Sequence, residues 1–370
     1  MKIGQLTLPF NWNYGGILQG YALKKTLHNL GHETVIISRR RNRDKFIPKM
    51  IVWFKWEAIK VLSFIPFFRA IPLISVEAFK RKYIKDFTPN VYSDKSLREI
   101  VGKHDFKGYV VGSDQIWNYT AAPHINDAFL DFVSDKKDIK RVSYAASFGR
   151  GVWKFPKEET KICKELVKKF DGISVREKSG VTLCNDFLDI KAEHHVDPTM
   201  LLNKEDYIDI IQKSNVSASN GKLLLYILDN TESKQEIANK VTSELGLKPY
   251  GIRQFKKIQV LQNAIKGIYP SVEQWLKSFY DAEFVITDSF HGTIFAIIFN
   301  KPFITVGNKE RGMARFESLL KGLSLIDRLV NDPKEVNISL IKQVINWDSI
   351  NKQIDLYRSD SMSFLKNNFK

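Results

Sequence analysis

Apolar and polar positions alternate over residues 2–8, give way to a polar, glycine-bearing stretch at 11–16, and then take up a helical period over about 17–30. Leu23, Leu27 and Leu30 fall on one face of that helix, and Gly31 stands where a left-handed helix terminator is favoured. A second strand is predicted at 33–38. Strand, helix and strand in this order imply a β-α-β unit and so a parallel sheet. Further apolar strands are predicted at 108–111, 141–147, 172–176 and 193–196. The pattern then restarts, with a strand at 222–228, a polar helix at 232–245 ending before Gly246, a strand at 283–287, an apolar helix at 293–299 and a strand at 302–306.

Two consecutive α/β domains account for this order, dividing between about 198 and 221. The boundary is set at 203, giving domains of 1–203 and 204–370. A chain of 370 residues is also longer than one hydrophobic core usually organises. Ligands of open parallel sheets bind beyond the carboxyl ends of the strands, so the loops that follow strands are where chemistry is expected. Residues 50–74, within an insertion at about 46–84, break the pattern. They are rich in Trp, Phe, Ile and Leu but carry Lys55, Glu57, Lys60 and Arg69 and are interrupted by Pro66 and Pro72. Charges near the centre make a spanning helix costly. Two readings stay open: a helical hairpin lying on a membrane surface, and a helical insertion packed on the first domain.

The net charge of +16 favours an anionic partner, whether nucleic acid, an acidic membrane or a phosphorylated substrate. The lysines spread through both domains instead of forming a stripe with exposed aromatics, so a nucleic-acid partner is not expected. Cys163 and Cys184 have no metal-ligand spacing and are too few for a disulfide framework. A reducing, cytoplasmic compartment and no structural metal are the expectation, since residues 1–8 also lack the continuous apolar run of a signal peptide.

Four segments carry candidate chemistry. Asn13-Tyr14-Gly15-Gly16 lies between the first strand and its helix, where a ligand can approach backbone amides; a simple tight turn explains it equally well. Gly112 to Asn118 runs out of an apolar strand, with Asp114 suited to accept a hydroxyl proton, Gln115 and Asn118 to orient a sugar and Trp117 to stack on it; a helix cap and a core tryptophan are the plain alternative. Arg176, at the end of the 172–176 strand, suits a phosphate or carboxylate, or a surface pair with Glu177. His291 and Gly292, after Thr287-Asp288-Ser289-Phe290, stand at a helix N-terminus that favours an anion. Lys309, Arg311 and Arg315 follow the next strand.

Taken together, the sequence resembles the polysaccharide pyruvyltransferase family. The resemblance lies in Asn13 to Gln19 with Ala22-Leu23, in Gly112 to Asn118, in Tyr144 to Gly149, in Ser174 to Glu177, in Asp197-Pro198-Thr199 and in Thr287 to Thr293. It implies a GT-B-like fold, two Rossmann-like domains with parallel sheets facing a cleft, an acceptor side in the first and a phosphoenolpyruvate side in the second. It implies transfer of a pyruvyl group to sugar hydroxyls of a polysaccharide or lipid-linked precursor, with phosphoenolpyruvate as donor substrate and no cofactor. His291 and Asp114 become the catalytic candidates. Arg176, His291, Gly292, Ser289, Arg311 and Arg315 become donor-binding candidates, and Asn13, Tyr14, Gly15, Gly16, Gln19, Gln115, Trp117 and Asn118 acceptor-binding ones. Some members carry Arg where this chain has Ser289, so either Arg311 or Arg315 compensates or the donor differs. Arg176 is expected to be replaceable without unfolding the protein. The rival readings are a GT-B glycosyltransferase using a nucleotide sugar and a non-catalytic basic protein binding membrane or nucleic acid.

Overall fold

The computed structural model describes residues 1–11, 13–41, 58, 61, 72–122, 124–252, 270–307 and 312–370. Strands β1 (Lys2–Leu6), β2 (Glu33–Ile37), β3 (Gly108–Val111), β4 (Lys140–Ala146), β5 (Gly172–Val175) and β6 (Glu193–His194) pair in parallel in the order β2-β1-β3-β4-β5-β6. A second parallel sheet has the order β11-β10-β9-β7-β8, from β7 (Leu223–Tyr226), β8 (Pro249–Gly251), β9 (Phe284–Thr287), β10 (Phe303–Val306) and β11 (Leu329–Val330). Strands β3, β9 and β10 are buried along their whole length. Helices cover both faces of such sheets, which is why these strands read as unbroken apolar runs. Short β8 and β11 were not predicted.

Strand order reverses at two places. After β1 the chain builds β2 on one side and then crosses to place β3 on the other, so the loops after β1 and β3 open a crevice between them. The second sheet repeats this at β7 and β9. These are the switch points at which open α/β sheets bind ligands.

The first helix, Tyr14–Asn29, begins three residues before its predicted start because Asn13 caps it, Oδ1 accepting from Gly16 N at 3.2 Å. Its residues 14–23 are all buried. The cause is a two-sided environment: Ile17, Leu18 and Tyr21 join a cluster with Trp275 and Phe295 of the second domain, while Leu23 and Leu27 pack with Ile3 and Val110 of the first.

The last helix, Trp347–Asn368, corrects the expectation that the second domain runs from 204 to 370. Its start lies with the second domain, where Ile350 and Ile354 join that cluster and Tyr357 Oη donates to Gly322 O at 3.0 Å. Its end crosses back, and Phe364, Leu365 and Phe369 pack with Val142 and Tyr144 under the first sheet. Among the described residues no helix is long and apolar enough to cross a membrane. Most of 50–74 lies outside the described residues; the end of the expected insertion, Val76, Phe79 and Ile84, is buried in the cluster that holds Tyr21.

Candidate active site

The loops at the two switch points and the loop after β5 meet between the domains. Asp114 follows β3 in a left-handed conformation, φ +50°. Few non-glycine residues adopt this region, and it turns the carboxylate off the strand axis. Asn13 Nδ2 approaches Asp114 Oδ2 at 3.4 Å. From the second domain, His291 sits in the first turn of the Phe290–Ile298 helix. The elements touch: a methyl group on Gly15 would overlap Cγ and Nδ1 of the His291 ring.

Arg176 extends from the end of β5 into the same region and is buried, side chain 1% exposed. Its Nη1 donates to Asp197 Oδ2 at 2.7 Å and its Nη2 lies 3.7 Å from Asp114 Oδ1. Burial disfavours its charge, but Asp197 and Asp114 outweigh this and hold the guanidinium above its ordinary range. Asp197 also faces His291, with Oδ2 3.5 Å from Nε2. Burial alone would push the Asp197 carboxyl up; His291 and Arg176 prevail and keep it well below the usual carboxylate range. Arg176 Nε and Nη2 and His291 Nε2 are buried without a hydrogen-bond partner. Buried polar groups are nearly always paired, so the two unbonded guanidinium donors of Arg176 call for a ligand, while His291 Nε2 faces Asp197.

Arg315 joins them from the Ala314–Gly322 helix. The guanidinium carbons of Arg176 and Arg315 lie 4.7 and 5.3 Å from the centroid of the Phe290 ring. Burial, and next the charge of Arg176, push Arg315 down to about 10. Glu177 is buried beside them; burial pushes its carboxyl up against the pull of Arg176 and Arg315. Its Oε1 accepts from Ser147 Oγ, Phe148 N and Gly149 N at 3.1, 2.8 and 3.2 Å, so it braces the loop after β4.

The family model for polysaccharide pyruvyl transferase matches residues 13–310, a span that begins at the end of the loop after β1 and takes in every residue of this cluster except Arg315. The chain belongs to the polysaccharide pyruvyl transferase family. No curated protein sequence matches it significantly. Among solved structures it is similar to a putative UDP-N-acetylglucosamine 2-epimerase of Listeria monocytogenes, at 12% identity and TM-score 0.54, over 97% of this chain and 90% of that one. It is also similar to S. aureus MnaA solved with UDP, at 13% identity and TM-score 0.51, over 95% and 90%. A third is UDP-GlcNAc 2-epimerase of Neisseria meningitidis, at 9% identity and TM-score 0.52, over 98% and 94%. At such identities the likeness concerns the fold, and it agrees with a GT-B-type pair of parallel-sheet domains.

For this pyruvyltransferase the geometry sorts the expected site residues. Asp114, Asn13, Gly15, Gly16, Arg176, His291 and Arg315 come together. Arg311 lies outside the described residues. Trp117 is no sugar platform: it is fully buried, stacks on Phe129 at 4.9 Å and donates from Nε1 to Ala128 O at 3.0 Å. Gln19 is buried and committed to the scaffold. Its Nε2 donates to Thr7 Oγ1 and Gly16 O, each at 2.8 Å, and its Oε1 accepts from Ser113 N at 2.8 Å. Tyr14 is an interdomain tie, stacked on Trp275 and donating from Oη to Pro270 O at 2.7 Å. Gln115 and Asn118 bond to each other at 2.7 Å and cover Gly149 at the margin.

Ser289 and Gly292 serve each other as a helix cap, Oγ accepting from Gly292 N at 3.3 Å, so neither is a free donor ligand. The rest of that motif is also framework. Asp288 pairs with buried Lys234 at 2.6 Å and accepts from Leu228 N at 2.7 Å, and Thr287 Oγ1 donates to Tyr226 O at 2.7 Å. These bonds clamp the ends of β7 and β9 together and leave His291 as the motif's chemical group. Asp197 was missed as a site residue, although Asp197-Pro198-Thr199 was among the matched segments.

Proposed function

We propose that this pyruvyltransferase takes phosphoenolpyruvate as donor and forms a pyruvate ketal on two hydroxyls of one sugar in a lipid-linked polysaccharide precursor, at the cytoplasmic face of a membrane. The observation that supports this most is the pair of unbonded donors on buried Arg176, Nε and Nη2, with Arg315 on the other contact of Phe290. A donor bearing a phosphate and a carboxylate suits two guanidiniums, which bind such groups with paired N–H bonds.

Position supports the following roles. His291 gives a proton to the methylene carbon of the donor, while Asp114 takes the proton of the first hydroxyl as its oxygen bonds to the neighbouring carbon. The carbon–oxygen bond to phosphate then breaks, Arg176 and Arg315 balancing the charge that leaves. The second hydroxyl adds at the same carbon and its proton restores His291, while the proton on Asp114 departs with phosphate. Each step uses protein groups and needs no metal or organic cofactor. Asn13 and the Gly15–Gly16 backbone bound the acceptor side. The aromatic and basic stretch 50–74 is the segment whose composition suits attachment to an anionic lipid surface.

Deuterium tests the route. With phosphoenolpyruvate and a sugar diol in heavy water, the ketal methyl should carry one deuterium and phosphate should appear in equal amount, as read by mass spectrometry and phosphate assay. Product without deuterium in the methyl group would rule out protonation at carbon by an exchangeable protein group.

A further inference from the structure

Asp197 has no assigned part in these steps, yet its side chain is held on every side. It follows β6 and opens the 3-10 turn Pro198–Met200. Oδ1 accepts from Thr199 N at 3.0 Å and from Thr199 Oγ1 at 2.8 Å, and Tyr207 Oη anchors the same turn by donating to Thr199 O at 2.8 Å. With one oxygen so fixed, the other has one direction to face. Oδ2 meets Arg176 Nη1 at 2.7 Å, Ser113 Oγ at 3.5 Å and His291 Nε2 at 3.5 Å. The first two belong to the first domain and His291 to the second, so this carboxylate joins the two halves of the site.

The opposite edge of the imidazole faces the first helix. The Gly15 backbone packs directly against Cγ and Nδ1 with no side chain between them, and next to it stand Gly16, Asn13 and Asp114, so this edge is turned toward the acceptor side. We propose that Asp197 is the positioning residue that holds His291 through Nε2 and so presents the Nδ1 edge to the substrate.

At 3.5 Å the Nε2 to Oδ2 approach is longer than a formed N–H···O bond, which spans about 2.7–3.2 Å. Catalytic hydrogen bonds commonly tighten when substrate is bound. The inference rests on the reading of His291 as the proton donor, and it adds which atom acts. The proton that forms the new C–H bond leaves Nδ1, its bonding pair staying on nitrogen, and the neutral ring that remains keeps its hydrogen on Nε2 against Asp197. Asp197 itself gains no proton. The arrangement also requires the domains to be together, because Arg176 and His291 share this carboxylate only when both sheets present their carboxyl ends to it.

The test joins spectroscopy on the parent protein to two variants. In the full chain labelled with ¹⁵N-histidine, the His291 resonances are those missing from His291→Gln. At neutral pH they should show hydrogen on Nε2. Thr199→Val keeps the charge but removes one of the two bonds that fix Oδ1, and should lower kcat about 10-fold with little change in the phosphoenolpyruvate KM, a small part of the 10²- to 10⁴-fold worth of a positioned acid. Asp197→Asn should lower kcat by about 10²-fold or more, as loss of the carboxylate behind a catalytic histidine does elsewhere, and the preference for Nε2–H should vanish.

A bare Nε2 with hydrogen on Nδ1 in the parent protein would overturn the proposal, whether or not the variants fold. So would variants in which only KM rises, since Asp197 would then be no more than the counterion of Arg176. Full turnover in His291→Ala together with Nε2–H in the parent protein would remove the acid role of His291 and keep Asp197 as the group that orients the ring.

Discussion

His291→Ala should lower pyruvyl transfer by about 10²- to 10⁴-fold, the usual worth of a positioned acid, with the fold intact. The ring lies at the surface shared by the two domains, against Gly15 and Asp197, and not in the clusters of apolar side chains beneath the sheets. The helix start that carries it is capped by Ser289 and does not depend on the imidazole. Phosphoenolpyruvate binding should weaken much less than turnover, because Arg176 and Arg315 remain. Steady-state kinetics beside a denaturant titration would separate these effects. Near-normal turnover would take His291 out of the chemistry, and a large loss of stability would make it a packing residue.

Arg176→Ala should both destabilise the protein and disable donor binding, which corrects the expectation that a strand-end arginine is dispensable for folding. Arg176 and Asp197 form a buried pair, each side chain 1% exposed. Removing Arg176 leaves the buried carboxylate only His291 and the two Thr199 donors, and breaking such a buried pair costs up to about 3–5 kcal/mol. Because Asp197 is held below the usual carboxylate range, its contribution is complete above the ordinary aspartate pKa. It is lost only as pH falls through the depressed value, so in the parent protein the pair persists into strong acid. In the variant that protection is weakened and the stability loss should be evident at neutral pH. Arg176→Lys retains a charge but not the fork, and should fold better while its KM for phosphoenolpyruvate still rises. Unchanged stability in Arg176→Ala would show that Asp197 is compensated from elsewhere.

The parallel sheets were legible because strands such as β3 and β9 are buried on both faces and so read as apolar runs ending in polar loops. Asp114, Arg176 and His291 were found by that rule, since each follows a strand. The misreadings have physical causes. A tryptophan after a polar loop can be a platform or core, and what decides for Trp117 is Phe129 and Phe148, which close over it from later in the chain. Gln19 lies on a helix buried on two sides, where a polar side chain must spend its hydrogen bonds inside the scaffold. Asp197 carries no local signal of a site role because its partners, at 113, 176 and 291, are remote in sequence. The crossing of the last helix depends on which sheet its apolar end meets, which periodicity does not encode.

Phosphoenolpyruvate, and not a nucleotide sugar, is the proposed donor, although neighbours of the same fold have been solved with UDP or UDP-GlcNAc. Thermal unfolding of the parent protein with each ligand, repeated with Arg315→Ala, tests it most directly. A ligand that binds only the folded chain adds about 2.7 kcal/mol at 100 times its Kd. Phosphoenolpyruvate should raise the unfolding temperature in a concentration-dependent way, Arg315→Ala should shift that dependence to higher concentration, and UDP-sugars should leave the temperature unchanged. Stabilisation by a UDP-sugar with none by phosphoenolpyruvate would contradict the account.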